Sequence, residues 1–189
     1  MNFLHKIRDR MLLGTLVGLG SNIVKNSFNS AGKSIGFADM SSQQRAIGMF
    51  LPKHKMRTKQ GKVVGYLADQ TAASLIGCVT VFAFSITGKK KPVLRGSAMG
   101  LSAWLLLYGV LGTIGATKIY SKKPSTMLTE FIAHLAFGAT SGLLIDKLGE
   151  DGLFTGEIPM KVTPNTVTLE KRKLAIYNDP SGLDTELKK

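Results

Sequence analysis

A chain of 189 residues, 44% hydrophobic and carrying a formal charge of +13, has the length of one domain with room for a tail. Its apolar residues come in blocks and its bases fall between them, without the helix-turn-helix, zinc-finger or aromatic RNA-binding pattern that would turn positive charge into a nucleic-acid site. Its single cysteine, Cys78, excludes an internal disulfide.

Residues 1–10 form a basic start with Lys6, Arg8 and Arg10. Residues 11–30 are read as a first membrane span. Met11 to Gly20 is apolar or small, and the stretch GLGSNIVKNSFN (18–29) then adds Lys25 and three asparagines. A secretory leader of this shape would close on an A-x-A-like site. None follows, so a retained span is expected. Residues 31–62 form a long connection ending in the basic run PKHKMRTKQGK, within which residues 41–51 are read as a short helix lying at the interface.

Residues 63–87 make the second span, with Asp69 as its single charged side chain. GKKKP is short enough to predict a tight helical hairpin. Residues 93–117 make the third span, and its stretch 96–117 carries no charge at all. A soluble helix would show a polar face every 3.6 residues; this one shows none. After KIYSKKP, residues 125–146 make the fourth, with Glu130 and His134 as its only ionisable groups down to Ile145. Each block reaches the roughly 20 residues needed to cross about 30 Å of hydrocarbon as a helix. Residues 150–189 have mixed charge and three prolines and are read as a loosely ordered peripheral tail, in which VTLEKRKLAIY could pair as an exposed strand. The predicted architecture is an all-α integral membrane protein: four transmembrane helices in an up-down-up-down bundle over residues 1–149, with the tail outside it.

Spacing gives each span a working face. Positions four apart share one side of a helix. Gly14 and Gly18 continue into Asn22 and Asn26; Gly65 and Asp69 continue into Ala73 and Gly77; Glu130 and His134 continue into Gly138 and Gly142; Gly96 and Gly100 open span three, which later carries Gly109, Gly112 and Gly115. Small residues at this spacing are the mark of close helix packing in lipid. In an up-down-up-down bundle, Lys25, Asn26, Asn29, Asp69, Glu130 and His134 lie at similar depth in one half of the bilayer. A lysine facing lipid would cost roughly 2.5–3.5 kcal/mol even on lenient scales, so Lys25 is expected to turn inward to an acid. A buried ion pair with capping acids and a working ionisable cluster both satisfy that pattern.

Catalytic signatures are missing. There is no G-x-S-x-G, Walker loop or H-E-x-x-H. Gly18-Leu19-Gly20 does not continue to a third glycine at dinucleotide spacing, and Glu130-x-x-x-His134 has no second ligand pair at metal spacing. No cofactor or metal is implied. The run Lys53, Lys55, Arg57, Lys59 and Lys62 suits contact with anionic lipid headgroups. Lys and Arg in the connections number fourteen on the side of the termini and ten on the other, which points both termini to the cytoplasm.

The stretches GTLVGLGSNIVKNSF, RGSAMGLSAWLLLYG and FIAHLAFGATSGLL together resemble the small four-helix inner-membrane proteins of bacteria of the YagU and YqhR type, over about residues 11–146. The resemblance implies a multi-pass bacterial inner-membrane protein and carries over no catalytic residue, because that family has no settled activity. The expected function is a non-enzymatic membrane component, structural or stress-related, acting through a membrane partner or as a homo-oligomer. The alternative is a small proton- or ion-coupled transporter or channel using Lys25, Asp69, Glu130 and His134.

Overall fold

The computed structural model describes residues 6–55, 57–116, 121 and 123–156. The predicted strand within residues 167–177 and the tail beyond residue 156 lie outside the described residues, as do His5 and the side chain of Lys53.

Helix α1 spans Arg10–Ser34 and starts where the Asp9 carboxylate accepts the Leu12 N–H at 2.6 Å, which satisfies one of the four orphan donors of a helix start. It runs four residues beyond the predicted end at 30. Gly32 packs on Thr129, and the chain turns only at Gly36, with φ +72°. Helix α2, Ser42–Phe50, begins with the Ser41 N–H donating to Gln44 Oε1 at 3.1 Å. Helix α3, Lys59–Thr87, is capped by the Thr58 hydroxyl, which accepts the Gly61 N–H at 3.0 Å.

Helix α4, Pro92–Thr113, is α-helical over Pro92–Trp104, widens to a π-helix over Leu105–Val110 and closes with the turn Leu111–Thr113. It stops short of the predicted residue 117 because Gly115 takes φ +71°, a left-handed closure that glycine adopts without a Cβ clash. Helix α5, Pro124–Leu148, has its proline in the first turn, where a missing N–H costs nothing. No strand occurs among the described residues; Ile7 and Gly149 form one isolated parallel bridge.

Three of these helices are long and apolar enough to cross a membrane: α3, α4 and α5. Helix α1 is as long as α5, but its asparagines and lysine keep its mean hydropathy below theirs. Its surface is nonetheless inverted relative to a soluble helix. Leu12, Leu16, Ile23 and Phe28 face outward, Ile23 with 68% exposure, while Ser21, Asn22, Lys25 and Asn29 are buried.

Laterally, α1 lies between α3 and α5, and α5 lies between α1 and α4. Both glycine seams run antiparallel. A Cβ on Gly14 would come within 2.5 Å of Cys78 Cα; Gly18 meets Ala73 and Ser74; Gly77 meets Gly14 and Gly18. On the other seam Gly96 and Gly100 face Gly138, Gly142 and His134. Gly65 does not serve a seam between long helices; it receives Gln43 and Ile47 of α2. A Cβ at Gly109, Gly112 or Gly115 meets nothing within 4 Å, so these glycines belong to neither seam. The GKKKP connection is short, yet α3 and α4 barely touch.

At the end that carries the amino terminus, Leu13, Val17, Val81, Phe84 and Ile145 form an apolar core closed by Leu153 and Phe154. The first residues beyond α5 thus pack on the bundle. Charged groups tie this closure. Lys6 and Lys89 both bind Asp151 at 2.8 Å, and their hydrogen bonds hold its carboxyl down at about 2. Arg8 binds Glu150 at 2.7 Å, and Arg10 donates to the Leu153 carbonyl at 3.1 Å.

Replacing Gly138 by leucine should push the α4–α5 seam apart, because the added atoms meet backbone; overpacking of this kind costs roughly 1–3 kcal/mol or more. Thermal denaturation of the purified protein in a mild detergent should show a clear drop in Tm for Gly138→Leu and little change for Gly109→Leu. Equal tolerance at both positions would contradict this packing.

Candidate functional site: a buried polar cluster beside a cavity

The α1 residues Asn22, Lys25 and Asn26 occupy one face at i, i+3 and i+4, and all three converge on the Asp69 carboxylate of α3. Lys25 Nζ lies 2.6 Å from Asp69 Oδ1; Asn22 and Asn26 donate to Oδ2 at 2.9 and 3.0 Å. Asn22 also donates to Gln70 Oε1 at 2.5 Å. Lys25 is 6% exposed and Asp69 4%. The antiparallel glycine seam sets this register: with Gly18 against Ala73, the next turn of α1 must meet Asp69, one turn back along α3.

One turn further along α1, Asn29 donates to Ser42 Oγ at 2.5 Å and to Glu130 Oε2 at 3.4 Å, and Ser42 donates to the same Glu130 oxygen at 3.0 Å. Glu130 is fully buried, and its Oε1 has no partner in hydrogen-bond geometry among the described residues. His134 Nδ1 lies 2.8 Å from the Glu130 carbonyl and 3.9 Å from its carboxylate. A carbonyl can only accept, so Nδ1 carries the hydrogen and Nε2 is left as the basic nitrogen. The Tyr108 ring stands edge-on to the His134 ring with centroids 5.4 Å apart; its hydroxyl faces Glu130, and Arg45 Cζ sits 4.4 Å from its centroid.

The structure therefore brings the six expected residues together as two adjoining groups: Lys25 and Asn26 around Asp69, and Asn29 and His134 around Glu130. Four participants were not assigned from the sequence. Asn22 was legible, three residues before Lys25 on the same face. Ser42 and Arg45 share one face of the predicted interfacial segment, which gave a weak signal. Tyr108 gave none, because it lies on the π-helical stretch, where α-helical spacing fails.

Beside this cluster lies a cavity of about 340 Å³. It fills the gap between α3 and α4. Lys25, Asp69, Arg45, Tyr108 and His134 form part of its wall, and α2 lies across it through Ser42, Ala46 and Met49. Among the described residues no group of three or more His, Cys, Asp or Glu is placed to hold a metal ion. Lys55, Arg57, Lys59 and Lys62 are exposed at the start of α3, away from the cluster. No family model, curated protein or solved structure significantly matches this chain.

Removing one member of a buried ion pair leaves the other charge uncompensated, at roughly 3–5 kcal/mol. Lys25→Met should therefore lower the Tm in detergent sharply. Lys25→Met combined with Asp69→Asn should recover most of the loss, because the remaining amide still accepts from Asn22 and Asn26. A double variant no more stable than Lys25→Met alone would remove the ion pair from its assigned role.

Proposed function

We propose that the chain is a four-span bacterial inner-membrane protein without enzymatic activity, and that the Glu130–His134 pair makes it a proton- or ion-linked transporter or channel. The four-span reading adds α1 to the three apolar helices. Its outward side chains suit lipid, and its polar side chains are bonded inward, as intramembrane polar groups require. Antiparallel seams between α1 and α3 and between α4 and α5 support an up-down-up-down path. The lysine and arginine excess favours both termini in the cytoplasm, and the exposed bases at the start of α3 then meet anionic headgroups on the opposite side.

Glu130 carries the functional reading. Asp69 has every oxygen occupied and reads as a structural lock. Among the described residues Glu130 has one oxygen without a partner in good hydrogen-bond geometry, a histidine with a basic Nε2 one turn away, and a tyrosine hydroxyl facing it. A carboxylate left half-satisfied inside a bundle destabilises it, and buried ionisable groups of this kind mark ion or proton paths. The structural reading, a component acting through a membrane partner or as a homo-oligomer, is favoured instead by the full bonding of Asp69, which shows that this sequence uses charge as glue elsewhere.

Topology is read with single cysteines in a Cys78→Ser background. An impermeant maleimide should modify Arg57→Cys on intact cells and spare Lys90→Cys until the cells are opened. Labelling of both on intact cells would overturn the four-span path. Activity is read in vesicles loaded with a pH-sensing dye. The reconstituted protein should carry a pH-gradient-dependent flux, and Glu130→Gln should reduce it at least tenfold while keeping the wild-type Tm. A folded wild-type protein with no flux removes the transport reading and leaves the structural one.

A further inference from the structure

The cavity between α3 and α4 reaches the surface beside α2, where Leu75, Met49 and Phe50 line it and are exposed. Glu130 does not line it. That carboxylate stands one layer behind the wall and is fully buried. Anything exchanged between the cavity and Glu130 must therefore cross a side chain of the wall.

Five elements contribute a charged or titratable group to that wall: Lys25 from α1, Arg45 from α2, Asp69 from α3, Tyr108 from α4 and His134 from α5. Four of these are poor places to receive a proton. Lysine and arginine side chains offer no acceptor atom. Asp69 has both oxygens filled by Lys25, Asn22 and Asn26. Tyr108 directs its hydroxyl at Glu130, and a neutral phenol already carries its hydrogen. His134 differs. Its Nδ1 hydrogen is held by the Glu130 carbonyl at 2.8 Å, which leaves Nε2 as an acceptor. The same ring lines the cavity and lies 3.9 Å from the Glu130 carboxylate. The wall also discriminates among cations. A metal ion needs several nitrogen or oxygen ligands. It would instead meet the charges of Lys25 and Arg45, and among the described residues no group of three or more His, Cys, Asp or Glu is placed to hold it. A proton needs one lone pair, and histidine supplies it near neutral pH.

We propose that the ion handled by the Glu130–His134 pair is a proton, and that it passes between the cavity and Glu130 through the imidazole of His134. Nε2 takes a proton from a hydronium ion in the cavity and leaves water. The imidazolium turns from the Glu130 carbonyl and passes its Nδ1 proton to the carboxylate. The ring is neutral before and after, with its hydrogen moved from Nδ1 to Nε2, and the reverse sequence returns the proton to the cavity. This assignment rests on the transport reading above, and the measurements below separate its failure from the failure of that reading.

The test uses the full chain in proteoliposomes, in a His5→Gln, His54→Gln background that leaves His134 as the sole histidine. Diethyl pyrocarbonate acylates a neutral imidazole, and hydroxylamine removes the group. The reagent, added from water, should modify His134 and reduce the pH-gradient-dependent flux at least tenfold; hydroxylamine should restore it. Ala72→Trp, which fills the cavity from α3, and Ala46→Trp, which fills it from α2, should each slow the modification at least tenfold in protein that elutes as wild type. Flux should be unchanged when choline replaces sodium and potassium. Flux that requires sodium or potassium, flux undiminished by modified His134, an unmodified His134, or modification undiminished in both tryptophan variants would overturn this proposal and leave the transport reading standing. A folded protein with no flux of any ion removes both.

Discussion

An ammonium group buried among helices whose outer surfaces are hydrocarbon has to be neutralised inside the protein. Lys25 meets this requirement through Asp69, and much of the structure follows from that contact. It fixes the rotation of α1, since the face bearing Lys25 must turn toward α3. It fixes the register as well, because Asn22 and Asn26 close on the same carboxylate only when the seam runs antiparallel with Gly18 opposite Ala73. Glycine lets the backbones approach, and the carboxylate decides where they stop. Packing of small residues alone tolerates sliding by a turn; a caged charge does not.

Helix α1 then occupies an unusual position for the least apolar of the long helices. It sits between α3 and α5 and gives each a polar contact: Asp69 on one side, and Ser141, which donates to Ser21 at 2.9 Å, with Glu130 on the other. The polar residues that lower its hydropathy are the ones that hold the two neighbours together. Low hydropathy in such a helix reflects how many of its faces are covered by protein.

The faces of these helices were legible in the sequence, because a period of four places Gly96 with Gly100, or Glu130 with His134, whatever lies opposite. The inward turn of Lys25 toward an acid was legible from the cost of facing that charge outward in an apolar bundle. Lateral order was not. Nothing in the spacing says that α3 and α4, joined by four residues, separate while α1 and α5, with two long helices between them in the chain, lie side by side. That choice depends on which glycine faces meet, and each face is degenerate in composition. Ser42 and Arg45 were hidden differently: their shared face on a helix of nine residues is a weak signal and does not say that the helix folds back over the cluster. Tyr108 lies where the helix changes its period, so no α-helical register could have placed it beside His134.

The open seam follows from side-chain size. Three of the lateral contacts among the long helices use small residues: Gly14, Gly18 and Gly77 between α1 and α3, Gly96, Gly100 and Gly138 between α4 and α5, and Ser21, Gly32 and Ser141 between α1 and α5. Between α3 and α4 the residues on the two sides are Ala68, Ala72 and Leu75 facing Leu107 and Leu111. Among the described residues no glycine lines that seam, and a Cβ at Gly109 meets nothing within 4 Å. Leucines hold the helix axes apart, and among the described residues no protein group fills the space between them. A gap of this kind is costly only while it is empty, since lost dispersion contacts are what make a cavity unfavourable. The gap between α3 and α4 therefore follows from the size of the side chains on the two facing helices, not from the length of the connection that joins them.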